Sequence, residues 1–465
     1  MTAKANDRQV TVIGAGLAGC EATWQLLKRG IRVTLVEMRP QKMTEAHSTG
    51  LFAELVCSNS LRGAALTNAV GLLKAELSEL GSLIMNSANL NQVPAGGALA
   101  VDRNLFSTYI TDTISNHPLF ELEIREAVDI PTASPEHPVI VATGPLTSTA
   151  FAQALREKTS SDHLAFYDAI SPILSYHSLD LSKMFFQSRY DKGSGNDYLN
   201  IPLEKQGYSD FVREILSGDK ITPHGEDSTN SEDQASLKPF EGCMPIEDMC
   251  GRGEETLRFG PLKPMGLTNP LTGRKPYAVV QLRQDDSQGR LWNMVGMQTR
   301  LRHSEQTRIF RMLPGLENAA FVRLGSVHRN SFLDSPKCLD STLQLRNHTG
   351  LFFAGQITGV EGYVESTAAG LIAGINAARQ VLGLAPLTFP LETAIGALIN
   401  YISDPSRKNF QPMNISFGLI PSYHELMNDL SQKRKSSKDA KRLAIAERSL
   451  SVLKSFSEAN GLLNE

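Results

Sequence analysis

The pattern of apolar and polar positions changes period several times within the first forty residues. Gln9–Ile13 is β-branched and apolar and reads as a strand, followed by the turn Gly14-Ala15-Gly16-Leu17-Ala18-Gly19. Trp24, Leu26 and Leu27 then recur at helical spacing up to Gly30, and Ile31–Glu37 reads as a second strand. Together these form one βαβ unit. Pro138–Gly144 and Leu351–Gln356 read as further buried strands ending in glycine, and the small residues of Glu365–Arg379 predict a helix behind the second of them. Nucleotide-site character at both ends predicts an α/β, Rossmann-like domain built from residues 1–165 and 326–430. Residues 166–325 would be an inserted α+β domain, and 431–465 a basic helical tail. Gly218–Leu237 carries five acids among Ser, Thr, Asn and Pro and reads as a solvated loop. Ala444–Leu453 has amphipathic helical spacing.

Composition narrows this picture only a little. A length of 465 residues with 41% apolar content suits two domains, or one large domain carrying an insertion. No run reaches the ~18 apolar residues of a membrane span, and the polar start carries no signal-peptide pattern. The expectation is a cytoplasmic chain that is not held in a membrane, and no segment signals an obligate protein partner. Cys20, Cys57, Cys243, Cys250 and Cys338 are odd in number and lack disulfide-framework spacing. Cys20 and Cys338 read as small core residues. Cys243 and Cys250 lack a second ligand pair, so no metal site is expected.

The glycine turn has a specific chemistry. Gly14 permits the tight turn, Gly16 lets the backbone approach a pyrophosphate, and Gly19 lets the helix pack on the strand. The helix start offers N–H groups to phosphate, and Glu37 is placed to accept from a ribose. A second cluster, Gly355-Gln-Ile-Thr-Gly359-Val-Glu361-Gly362, would set a helix start beside a ring able to carry negative charge. On these residues alone, flavin and nicotinamide both stay open.

Two thiols stand in polar surroundings. Cys57 lies in Phe52–Arg62, where Ser58-Asn59-Ser60 and Arg62 could lower its pKa. Cys243 sits between Gly242 and Pro245, with Arg252, Arg258 and Lys263 following. An inert buried cysteine is the alternative for each. Charge is uneven as well: Gly251–Asn330 holds 13 Lys plus Arg against 6 Asp plus Glu, in a chain whose total is -3. Eleven of those cations are arginines, which suits a nucleic-acid face as well as a solvated one.

Taken together, several segments resemble the TrmFO family of folate- and FAD-dependent tRNA uracil-5 methyltransferases. They are Gly14–Gly19, Val36–Pro40, Ala53–Arg62, Pro94–Asp102, Phe240–Glu247, Leu257–Pro264, Pro276–Arg283, His328–Asn330, Gly355–Ser366 and Gln411–Asn414. The resemblance runs from Val10 to about Phe417, and the Cys57 and Cys243 segments make it specific. It implies a glucose-inhibited-division type flavoprotein fold, with FAD held by Gly14, Ala15, Gly16, Leu17, Ala18, Gly19, Glu37, Gly144, Gly355, Gly359, Glu361 and Gly362. It implies methylenetetrahydrofolate as one-carbon donor, NADPH or NADH as reductant, and the T-arm of tRNA as partner. By motif position Cys243 falls on the family's nucleophile and Cys57 on the cysteine near the flavin. His328 and Arg329 would lie near the pterin or flavin. A ribosomal RNA substrate, a small-molecule oxidoreductase and the related wobble-uridine modifiers of the MnmG type are the competing functions.

Overall fold

The computed structural model describes residues 8–159, 164–221, 244–421 and 437–462. A parallel five-stranded sheet carries the N-terminal unit. Its strands in chain order are β1 (Gln9–Ile13), β2 (Arg32–Glu37), β3 (Phe120–Ile124), β4 (Val139–Val141) and β5 (Leu351–Phe353). They lie side by side as β5-β4-β1-β2-β3. β1 is thus flanked by a strand close in sequence and by one more than a hundred residues later, with Thr11, Val12 and Ile13 in register with Val139, Ile140 and Val141. β2 and β4 are buried almost throughout because both sheet faces are covered, as parallel sheets require.

Six helices matter for the site: α1 (Leu17–Leu27), α2 (Ala69–Glu79), α3 (Arg103–Ser115), α4 (Tyr363–Val381), α5 (Ala394–Ser403) and α6 (Lys438–Ala459). α4 crosses directly on α1 through glycines. A Cβ on Gly370 would lie 2.2 Å from the Ala18 carbonyl oxygen, and one on Gly374 would lie 2.7 Å from that of Ala22. The small residues that predict this helix are therefore what lets two backbones touch. α6 extends beyond the amphipathic stretch Ala444–Leu453 at both ends, with an exposed first turn and with Phe456 packed on the core near its far end. The Ser437 hydroxyl caps it, accepting from the Ala440 N–H at 3.2 Å.

Glu76 on α2 ties this half together. Its buried carboxylate accepts the Ala394 and Ile395 N–H groups at the start of α5, both at 2.8 Å, and the Ser449 hydroxyl of α6 at 2.5 Å.

A second, antiparallel sheet runs in the order 185–186, 198–203, 278–284, 291–294, 173–175, 321–323. It has its own apolar core around Leu199, Ile201, Val280, Leu282, Trp292 and Phe310. Leu164–Ala169 enters this region and Val327–Phe332 leaves it, and the two pair antiparallel, with Asp168 opposite His328. A three-stranded sheet of Ser60–Gly63, Ala98–Val101 and Gln92–Val93 lies next to α2. Of the acidic segment 218–237, residues 222–237 lie outside the described residues, as do 431–436 and 463–465 of the basic tail and the first seven residues. Among the described residues no helix is long and apolar enough to cross a membrane.

Candidate active site

The glycine turn works through clearances. Gly14 adopts φ +101°, and a Cβ there would lie 2.6 Å from the Ala142 carbonyl oxygen. A Cβ on Gly19 would lie 1.8 Å from the Gly14 oxygen, so α1 can start only where it does. Gly16 has nothing within 4 Å of its missing side chain. It forms the N-cap of α1 without a side-chain cap and with no acid in the first turn. This start is open and positively polarised, and it fits a phosphate group.

The turn lines a cleft of about 1040 Å³, together with Glu37, Arg39, Thr143, Gly144, Thr147, Gly355 and Gln356. Gly144 adopts φ +68° with open space around it, and Gly355 φ +82°. Val56, Pro145, Leu146, Gln356, Tyr363 and Ser366 are shared with a second chamber of about 1180 Å³. A cleft that shares its lining with a second chamber fits a dinucleotide whose ring system enters the chamber.

Two expected contacts differ in place. Gly359 (φ +80°) lines neither cavity; its Cα faces Phe410, 2.3 Å from where a Cβ would stand, so this glycine serves packing. Gly19 also packs behind the turn rather than on the cleft. Glu37 faces the cleft, but both of its oxygens are engaged. Oε2 accepts the Ala15 N–H at 2.7 Å and Arg39 Nη2 at 3.3 Å, while Oε1 accepts the Arg39 N–H at 3.0 Å and Nε at 3.1 Å. Burial opposes its ionisation, yet the Arg39 hydrogen bonds and charge outweigh burial and hold the carboxyl below its ordinary range. A ribose hydroxyl would share an acceptor that already fastens the turn.

Cys57 stands on the chamber wall, with Sγ 4.0 Å from the Ala169 carbonyl oxygen. Its N–H donates to the Tyr363 hydroxyl oxygen at 2.8 Å, which also accepts the Ser58 N–H at 3.3 Å. Its carbonyl accepts from two guanidinium groups, Arg103 at 3.1 Å and Arg323 at 3.0 Å. Arg103 is itself paired with Asp285 at 2.8 Å, and Arg323 also donates to the Val56 carbonyl at 3.1 Å. Arg62, expected beside this thiol by spacing, lines the same chamber and pairs with the Glu365 carboxylate. Ser58 and Asn59 are bound by Arg283 at 2.8 and 3.0 Å. The two cations beside Cys57 come from 46 and 266 residues away, and no local signal in the sequence marks them.

Acid–base groups gather on the same wall. Burial and the neighbouring Asp168 carboxylate push Glu361 well above the ordinary carboxyl range, against a 2.6 Å hydrogen bond from Gln356. Asp168 accepts from Asn330 at 2.6 Å. Burial, then the nearby Cys57, raise the Tyr363 hydroxyl, which stays a neutral phenol. His328 lines the chamber with Asn330; burial lowers its pKa and favours the neutral ring, whose Nε2 is 2.9 Å from the Ser326 hydroxyl. The Gly362 backbone (φ +108°) borders the chamber next to Glu365. The structure therefore brings Cys57, Glu361, Gly362 and His328 together at the end of the cleft that Gly14, Ala15, Gly16, Leu17 and Ala18 begin. Cys243 lies outside the described residues. Cys250 is buried, which pushes its thiol up to about 12, and Cys20 and Cys338 are buried core thiols.

The chain is similar to several known proteins. The family model described as Glucose inhibited division protein A matches residues 9–385. The solved GidA of Aquifex aeolicus superposes with a TM-score of 0.66 at 17% identity, covering 99% of this chain and 76% of that one, a likeness of fold. Much nearer in sequence is a protein of Symbiobacterium thermophilum, 53% identical over 447 residues, with 96% of both chains covered. One from Geotalea uraniireducens is 54% identical over 445 residues, covering 96% of this chain and 98% of its own. Both are named methylenetetrahydrofolate--tRNA-(uracil-5-)-methyltransferase TrmFO. With a flavoprotein-type cleft, a cysteine-bearing chamber at its end and this identity over nearly its whole length, the chain belongs to the TrmFO family.

Proposed function

We propose that this chain methylates carbon 5 of the T-loop uridine, position 54 of tRNA, in the cytoplasm, with methylenetetrahydrofolate as one-carbon donor, FAD, and NADPH or NADH as reductant. The observation that carries this reading is the placement of Cys57 and Glu361 on one wall of the chamber that the dinucleotide cleft enters. The names of relatives more than half identical support the substrate. Residues 1–165 and 326–430 would form the FAD-binding part, 166–325 the RNA side, and 431–465 a tail.

Gly14, Ala15, Gly16 and the α1 start would hold the FAD pyrophosphate, Glu37 the ribose edge, and Gly144, Gly355 and Gly362 would leave room along the cleft. The bound flavin supplies one-carbon carriage and reducing electrons. The chain's own part is to activate and position the base. By motif position the Cys243 thiolate adds to carbon 6 of uracil, so that the sulfur–carbon bond forms and carbon 5 becomes the nucleophile. The carbon 5 proton must then leave to a base, and the sulfur must depart as the 5,6 double bond returns. Cys57, held between Tyr363, Arg103 and Arg323, is the acid–base partner. Glu361 keeps a proton to a higher pH than a solvated carboxyl and can deliver it within the chamber.

The test is methyl transfer from labelled methylenetetrahydrofolate with purified protein, FAD and NADPH, onto unmodified tRNA and onto ribosomal RNA. Label at the tRNA T-loop is the expected result; label only in ribosomal RNA refutes the tRNA assignment. Cys57→Ala and Cys243→Ala should each abolish transfer, and wild-type rates in both would remove the catalytic assignment.

A further inference from the structure

Outside the cleft, the turn between the strands 185–186 and 198–203 carries an aromatic residue held in a costly conformation and open to solvent. Tyr190 has φ +57° and ψ +31°, and Asp191 beside it has φ +53°. Bulky residues avoid this region and hold it only where their surroundings impose it. Yet the Tyr190 side chain is 63% exposed. It is imposed from below. The ring rests on Gly266 (φ +75°), where an added Cβ would stand 3.0 Å from ring carbons, and the Tyr190 N–H donates to the Gly266 carbonyl at 3.2 Å. Arg189 clamps the same loop by donating to the carbonyls of Lys263 and Met265. The ring is therefore seated on backbone on one side and offered to solvent on the other.

Lys192, Lys263, Arg274 and Lys275 are exposed on the same two loops, and among the described residues none has a carboxylate within ion-pair distance. The exposed acid of the loop is Asp191. This face also connects to the chamber. Arg62 lines the chamber, the Ala64 N–H two residues on donates to the Gly97 carbonyl at 2.9 Å, and a Cβ on Gly97 would lie 3.2 Å from Lys192 Cδ.

We propose that this face holds the RNA substrate, with an unpaired base stacked on Tyr190 and phosphates on the four cations. Single-stranded and loop RNA is bound in this way, by flat rings that accept any base and by cations that follow the backbone. A rigid ring suits the task because little freedom is lost on binding. The inference rests on the reading of this chain as an RNA methyltransferase and adds where the RNA is gripped.

Equilibrium binding of an unmodified tRNA transcript to the full, FAD-loaded chain tests it, with Tyr190→Ala, Tyr190→Phe and the pair Lys192→Glu with Lys263→Glu. Tyr190→Ala and the charge reversal should each weaken binding at least tenfold. Tyr190→Phe should restore it to within about twofold, and flavin content should be equal in all. The charge-reversed protein should also show a shallower dependence of log Kd on log salt concentration. Wild-type affinity in both the alanine and the charge-reversed variants overturns this surface while the methyltransferase reading stands. Loss in the charge-reversed variant alone overturns the stacking role. A wild-type chain that binds no RNA overturns both the surface and the function proposed above.

Discussion

Glu76→Gln isolates a buried carboxylate that joins three helices and touches nothing in the cleft. Its oxygens take two backbone N–H groups at 2.8 Å and the Ser449 hydroxyl at 2.5 Å, with no exposure to solvent. Glutamine keeps one oxygen, so one N–H at the start of α5 loses its acceptor and faces an NH₂ group instead. An unsatisfied buried donor costs about 1–3 kcal/mol, and the new one facing it adds to this, so a deficit of roughly 2–4 kcal/mol follows. The deficit depends on pH. Burial pushes the Glu76 carboxyl up to about 7 from the ordinary 4.5, against the pull of Ser449 and the two N–H groups. The folded protein thus holds this proton to higher pH than the unfolded chain does. The stability it contributes is complete below about 4.5 and is lost as pH rises towards 7, a change of roughly 3 kcal/mol. Glutamine does not titrate, so the gap between wild type and variant should be widest near pH 5 and should shrink by pH 8. Thermal melting followed by far-ultraviolet circular dichroism across that range measures it. A gap that widens with pH would refute the reasoning. It would mean that three donors and the helix start hold the carboxylate charged in spite of burial.

Other substitutions probe the cleft and its wall. Gly19→Ala places a methyl group 1.8 Å from the Gly14 oxygen, so the purified protein should lose its flavin absorbance; a yellow protein with normal content would refute the tight-turn argument. Arg323→Ala removes the donor at 3.0 Å from the Cys57 carbonyl and the one at 3.1 Å from Val56, and should slow methyl transfer at least tenfold, about 1.4 kcal/mol, with flavin retained. Wild-type turnover would show that Arg103 alone suffices. Glu361 is raised well above the ordinary carboxyl range, so it too favours the folded state at low pH and loses that contribution as pH rises through its raised value. Glu361→Gln should flatten this part of the melting profile, and an unchanged slope would count against a proton held there.

The elements legible in the sequence are those whose cause is local. The β1–turn–α1–β2 unit is specified by contiguous residues, and Gly14, Gly16 and Glu37 fall where that spacing puts them. The small residues of α4 signal close helix contact, although not that the partner is α1. What escaped the sequence is set by distant partners. Arg103 and Arg323 converge on Cys57 from a helix and from the second sheet, and neither sits in a pattern that singles it out. Arg62 looks like the natural neighbour of Cys57 by spacing, but a carboxylate 303 residues away claims it. Glu37 matches its expected position, yet its engagement by Arg39 depends on a turn in the backbone that spacing does not encode. The short strands of the second sheet, several of two to four residues, leave too brief an alternation to read.

The packing of α4 on α1 bears on the order in which the protein is made. The nucleotide cleft begins at Gly14, but Gly355 and Gln356 close it, and β5 and α4 complete the sheet edge and the helix layer behind it. Strand β1 leaves the ribosome hundreds of residues before those pieces exist. A nascent chain therefore carries the glycine turn without its far wall through most of synthesis, and chains interrupted before α4 have nothing to enclose a flavin. Loading with cofactor is in this way a report that translation has reached the last quarter of the message.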